Sequence, residues 1–97
     1  MKLRISAEAK ADIKEAAKWY EAQQAGLGKS FVSTIKLTTE RISQGPHRFP
    51  RPYRNVQRAL TGRFPYAVFY EAFPSEVVVI GVLHQNRDPS LLDERLK

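Results

Sequence analysis

Apolar side chains recur along this chain with two different periods. In residues 2–6, Leu3 and Ile5 alternate with Lys2, Arg4 and Ser6, a period of two that predicts a short strand. Ser6 is then a helix N-cap, with Glu8 and Asp12 near the positive end of the helix dipole. Ala9, Ile13, Ala16, Ala17 and Tyr20 share one face of an amphipathic helix over residues 7–24, with Trp19 at the edge of the stripe. Ala25-Gly26-Leu27-Gly28 breaks that helix as a tight turn. The stripe resumes with Leu27, Phe31, Ile35, Thr38 and Ile42, and Gly45-Pro46 stops it. Two amphipathic helices so closely joined make an antiparallel hairpin whose apolar face needs a sheet to cover.

Residues 46–55, rich in proline and arginine, form a loop. A strand over residues 55–60, a turn at Thr61-Gly62 and a strand over residues 64–73 follow, with Pro65 near the strand start, where its missing donor is tolerated. A turn at residues 74–76 leads to a last strand over residues 77–83. Phe64, Tyr66, Val68 and Tyr70 mark one apolar face, and Ala67, Phe69 and Phe73 the other. Strands apolar on both faces are covered on both sides.

The pattern therefore predicts a single α+β domain over residues 1–97. It has an N-terminal strand, an antiparallel helix hairpin on a three- to four-stranded antiparallel sheet, and a short C-terminal helix or tail. Trp19, Tyr20, Phe31, Phe64 and Phe69 are expected between hairpin and sheet or at the rim. The hairpin covers one face only, and residues 88–97 are too short to cover much of the second. That face either stays open as a groove for a partner's apolar segment or is capped by Leu91, Leu92 and Leu96.

Charge changes this picture. Residues 41–70 hold six arginines (Arg41, Arg48, Arg51, Arg54, Arg58 and Arg63), no lysine and no carboxylate. Elsewhere ten basic and ten acidic side chains cancel, so this window supplies the whole net charge of +6. A guanidinium is a rigid, permanently charged fork matched to carboxylate or phosphate, so the window points to an acidic partner. It is interleaved with His47, Phe49, Tyr53, Phe64 and Tyr66. The absence of cysteine, of an apolar leader-like segment and of any long apolar run suits a cytoplasmic protein that neither spans nor binds a membrane.

Candidate chemistry is sparse. His47 and His84 are far apart and lack the carboxylates or cysteines of a metal site, and no phosphate loop or nucleophile motif is present, so neither metal nor cofactor is expected. The one possible catalytic set is Arg63, His84 and Arg87, brought together where the last two strands meet. There His84 would move protons while the arginines hold a scissile phosphate, with Glu71 or Asp88 as the available carboxylate. The alternatives are a strand-end histidine bonded to the backbone and a local Arg87–Asp88 ion pair.

Several runs, in order along the chain, resemble the bacterial RelE/ParE toxins of type II toxin–antitoxin modules. They are Trp19-Tyr20-Glu21, Gly26-Leu27-Gly28 with Phe31, Pro46 with Phe49-Pro50, Arg63-Phe64-Pro65-Tyr66, Val68-Phe69-Tyr70 and His84-Gln85-Asn86-Arg87-Asp88-Pro89. The resemblance implies the fold predicted above and one of two targets. RelE-type members cut messenger RNA on the ribosome, whereas ParE-type members are similar in fold and inhibit DNA gyrase by binding. Arg63 and Arg87 match arginines of the RNA-cutting branch. That branch's lysine cluster has no counterpart here, and Leu91, Leu92 and Asp93 stand where a C-terminal aromatic is expected. The ParE branch is therefore the closer match, and the chain is expected to be a gyrase inhibitor rather than an enzyme. The alternatives are a ribosome-dependent endoribonuclease and a non-toxic interaction module of the same fold. The resemblance further implies an acidic, partly disordered antitoxin that folds on the chain as a hetero-oligomer, with no sequence-specific nucleic-acid binding. Arg48, Arg51, Arg54, Arg58, Arg63, Tyr66, Arg87, Leu91 and Leu92 are the expected partner contacts.

Overall fold

The computed structural model describes residues 2–96. The elements follow the predicted order: β1 (Lys2–Ile5), α1 (Ala7–Gln23), α2 (Leu27–Gln44), a 3₁₀ turn (Pro46–Arg48), β2 (Gln57–Leu60), β3 (Tyr66–Ala72), β4 (Glu76–His84) and a C-terminal 3₁₀ segment (Pro89–Arg95). Ser6 caps α1, its hydroxyl accepting from the Ala9 amide at 3.1 Å. Gly26, at φ 92°, turns the chain in the left-handed region that side chains disfavour. A Cβ at Gly28 would stand 2.6 Å from the Ala17 carbonyl oxygen, so glycine lets the two helices close on each other.

The sheet order is β1-β4-β3-β2. β2, β3 and β4 form the expected antiparallel sheet, and the N-terminal strand β1 joins it as a fourth strand, parallel to β4. The helix hairpin leads into β2, and two antiparallel reversals, β2 to β3 and β3 to β4, leave β4 running in the direction of β1. The connection from β2 to β3 is also longer than a two-residue turn. Gly62 has φ 84°, and the Thr61 hydroxyl donates to the Phe64 carbonyl at 2.8 Å.

The hairpin face buries Ala9, Phe31, Ile35, Ile42, Val68, Tyr70 and Val79. Trp19 stays at the rim, 59% exposed. Phe69 lies on the other face, since alternation along β3 points it away from its neighbours Val68 and Tyr70. That second face is not an open groove. Leu92 is fully buried there against Val56, Ala67, Phe69, Val78 and Ile80, with Leu83 and Leu96 beside it. Leu92 is thus a core residue and not a partner contact, while Leu91 is half exposed.

A bulge makes this closure possible. Phe69 pairs with Gly81 but Tyr70 with Val79, leaving Ile80 as the extra residue in β4. A Cβ at Gly81 would meet Leu92 Cδ2 at 2.7 Å and Arg95 Nη1 at 3.1 Å, so any side chain there would push both off the sheet face they now cover. Beside the bulge β4 outruns β1, whose register ends with Ile5 opposite Val79. Ser6 still donates its amide to the Val79 carbonyl at 2.9 Å. Past that point Arg95 Nη1 donates to the Ile80 carbonyl at 3.0 Å, and the Val82 amide donates to Asp12 Oδ2 at 3.0 Å. Arg95 and Asp12 also hold each other through two bonds of 2.6 and 3.2 Å. A salt bridge thus completes a strand edge where the neighbouring strand stops. The Asp12 bond raises the Arg95 pKa, against partial burial.

Two stability results are expected. Phe31→Ala should cost about 3–5 kcal/mol in chemical denaturation, the usual range for emptying a buried aromatic site; a loss below about 1 kcal/mol would mean the site is not core. Asp12→Ala and Arg95→Ala should each cost about 2–3 kcal/mol, less than the ~3–5 kcal/mol for a fully buried pair because water still reaches Arg95. The double variant should cost clearly less than the two losses added together. Strict additivity would show that the pair does not act as a unit.

Candidate functional site

The end of the sheet where β4 finishes and β3 begins holds a groove of about 650 Å3. α1 supplies Trp19 and Tyr20, the entry to β3 supplies Pro65 and Tyr66, and β4 with its following turn supplies His84 and Arg87. Aromatic packing fixes the wall. Tyr66 meets Phe31 edge-on at 5.1 Å and His84 at 5.9 Å, and Tyr20 meets Phe64 at 4.8 Å. Burial, and secondarily Tyr66, raises the Tyr20 pKa. Trp19 rests edge-on against Tyr20 at 5.1 Å and leaves most of its ring in solvent, an exposed apolar contact at the mouth. Asp12 and Glu15 line the groove from α1. Nothing in the helical pattern marks Glu15 for this role, whereas Trp19 stands out at the edge of the stripe.

The proposed catalytic set is only partly assembled. His84 and Arg87 share the groove, but Arg63 is not among its lining residues, and its guanidinium lies over the Phe64 ring, 5.4 Å from the centroid. His84 Nδ1 accepts the Asn86 amide at 3.1 Å. An accepting nitrogen carries no proton, so Nε2 bears the ring's N–H. This is the backbone-bonded strand-end histidine anticipated as the alternative. Neither candidate carboxylate serves His84. Asp88 accepts the Ser90 amide at 2.9 Å, which lowers its pKa and caps the C-terminal segment. It forms no ion pair with Arg87 among the described residues. Glu71 lies near the far end of β3, beside Arg54, Asn55 and Leu96, where burial raises its pKa. Asp12 is engaged by Arg95 and Val82. Among the described residues no group of three or more His, Asp or Glu side chains is placed to hold a metal ion.

The arginine window does not form one patch. Arg41 and Arg48 lie over Phe49 at the C-terminal end of α2, 5.5 and 5.1 Å from the ring centroid. Arg54, at φ 51°, faces Asp93 at 3.8 Å, and Tyr53 donates to the same carboxylate at 2.7 Å. Arg58 is in β2, and its amide donates to the Pro50 carbonyl at 2.9 Å. Loop 50–56 therefore covers part of the sheet's β2 edge with prolines and arginines, which discourages strand pairing there.

Two of the motifs behind the resemblance also have structural roles. The Glu21 carboxylate accepts the Gly26 and Gly28 amides at 3.0 Å, capping α2 from α1. Phe64 and Tyr66 pack on Phe31 at 5.3 and 5.1 Å.

Comparison with known proteins agrees with the fold and the motifs. No curated protein sequence matches the chain. Among solved structures, a chain described as "Chromosomal ParDE TA system from P. aeruginosa" superposes with a TM-score of 0.66 at 13% identity, covering 87% of this chain and 95% of that one. At that identity the likeness concerns the fold. The family model described as "ParE toxin of type II toxin-antitoxin system, parDE" matches residues 3–89. That span takes in both helices, the sheet from Leu3 onward and the groove lining apart from Arg95, and on it the chain belongs to the ParE toxin family of type II toxin–antitoxin systems.

Proposed function

We propose that this chain arrests growth by binding DNA gyrase, holding it in a DNA-cleaved state, and that a cognate acidic antitoxin neutralises it. Family membership supports the toxin role. Binding rather than catalysis rests on the state of His84, whose Nδ1 is taken by the Asn86 amide. RNA cleavage needs an acceptor for the 2′-hydroxyl proton and a donor for the leaving oxygen. With Nδ1 engaged, His84 has only Nε2 to offer, and one nitrogen cannot be acceptor and donor in the same step. Among the described residues no carboxylate hydrogen-bonds to His84, and Arg63 is turned onto Phe64. The exposed Trp19, with Tyr20, Pro65 and Tyr66, instead offers an apolar anchor flanked by Arg87, the composition of a protein-docking surface.

The endoribonuclease alternative keeps one observation in its favour, that His84 and Arg87 share the groove. Toxicity separates the two. Expression of this chain alone should stop growth, and co-expression of its genetic neighbour should restore it. His84→Ala should leave the arrest largely intact. Loss of toxicity in a folded His84→Ala protein, with a rate loss of about 10²-fold or more on ribosome-bound messenger, would replace gyrase inhibition by RNA cleavage. Normal growth with abundant folded wild-type chain would instead favour a non-toxic interaction module.

A further inference from the structure

The arginines around Phe49 are built unlike the others in the window. The backbone beneath them is anchored in the core. The Pro46 carbonyl accepts from the Tyr70 hydroxyl at 2.5 Å and from Gln57 Nε2 at 2.6 Å, and Gln57 Nε2 also reaches the Phe49 carbonyl at 3.0 Å. Gln57 and Tyr70 are both buried, and burial pushes the Tyr70 pKa up to about 12, so its hydroxyl remains a donor at neutral pH. On this base Phe49 stands edge-on to Tyr70 at 6.4 Å and carries the Arg41 and Arg48 guanidiniums. Arg48 Nη2 donates to the Arg41 carbonyl at 3.0 Å, which fixes it further. Arg51 completes the group, since it and Arg48 both lie near enough to Tyr70 to pull its pKa down against burial.

Arg41, Arg48 and Arg51 form no ion pair among the described residues. Like charges held together without a counter-charge repel, so the cluster costs the fold stability. A guanidinium over a ring leaves N–H groups for an anion: among the described residues, all of those on Arg41, and on Arg48 those other than the one given to the Arg41 carbonyl. Two guanidiniums over one ring, with Arg51 two residues further along the chain, concentrate positive charge at one point, which suits carboxylates rather than a track along a phosphate backbone. Phe49, already bearing two guanidiniums, is poorly placed to stack a base.

We propose that Arg41, Arg48 and Arg51 on their Phe49 platform are a carboxylate-binding site for an acidic polypeptide segment, separate from the Trp19–His84 groove. Identifying that segment with the antitoxin rests on the proposed function; the site itself does not. The chain would then use one end for its neutraliser and keep the groove for its target.

The test is fluorescence anisotropy of a labelled hexaglutamate peptide titrated with the full-length chain at low salt. Arg48→Gln with Arg51→Gln should weaken binding by at least about tenfold, the loss of one strong charge-assisted contact. Arg63→Gln with Arg87→Gln removes the same charge and should change it by less than about twofold. Arg51→Gln alone, at an exposed position, should weaken binding without lowering the thermal unfolding temperature, which guards against a folding defect in the Arg48 variant. Equal losses from the two double variants would mean diffuse attraction and no site. Tighter binding of a short DNA duplex than of hexaglutamate, with the same arginine dependence, would make it a nucleic-acid site. A chain that is inert in cells would still bind the peptide, so failure of the toxin reading and failure of this site are distinguishable.

Discussion

The structure turns on the point where β4 outruns β1. A strand edge inside a small domain leaves amide and carbonyl groups that must find partners, because an unpaired buried group costs about as much as a lost hydrogen bond. Here the partners come from the two ends of the chain. Asp12, in the second turn of α1, takes the Val82 amide, and Arg95, near the C-terminus, takes the Ile80 carbonyl. Their mutual bond ties these together. Three consequences follow. The C-terminal segment is held against the sheet, Leu92 closes the second face over the glycine of the bulge, and Asp12 and Arg95 become part of the groove lining. Asp93 holds the same segment from its other side through Tyr53 and Arg54.

That closure redistributes the charge that dominates the sequence. Arg54 is drawn to the C-terminal segment and Arg58 lies in the edge strand, so neither belongs to a common basic face. Arg63 and Arg87 lie toward the groove end of the sheet, and Arg41, Arg48 and Arg51 gather at the other, where the α2 C-terminus meets Tyr70. A contiguous run in sequence becomes separate groups because β2 carries the chain from one end of the sheet to the other between Arg51 and Arg63.

Local pattern carried much of the fold. The helical stripes placed α1 and α2 within a residue or two, and alternation along β3 sorted Val68 and Tyr70 from Ala67 and Phe69. Parallel pairing of β1 was not readable, since four alternating residues fix a strand but not the direction of its neighbour. Nor was the closed second face. The meaning of Leu92 depends on Gly81, and that of Arg95 on Asp12, 83 positions away. Asp12 read locally as a helix-dipole residue and proved to be a strand-edge partner. At the groove, His84 and Arg87 were readable from their place at the end of the last strand, while Glu15 and the Trp19 mouth required the helix to be laid on the sheet. Glu21 and Gly28 drew notice through the resemblance, and their bonds show them supporting the hairpin.

The proposed function rests on a groove that joins an exposed tryptophan to a histidine whose Nδ1 is bonded to the backbone. The most direct measurement is a side-by-side reaction of the purified chain with gyrase on supercoiled DNA and with ribosomes carrying messenger. If the chain acts by binding gyrase, cleaved DNA should accumulate with increasing chain while the messenger remains full length. Cut messenger with no trapped gyrase–DNA complex would contradict it.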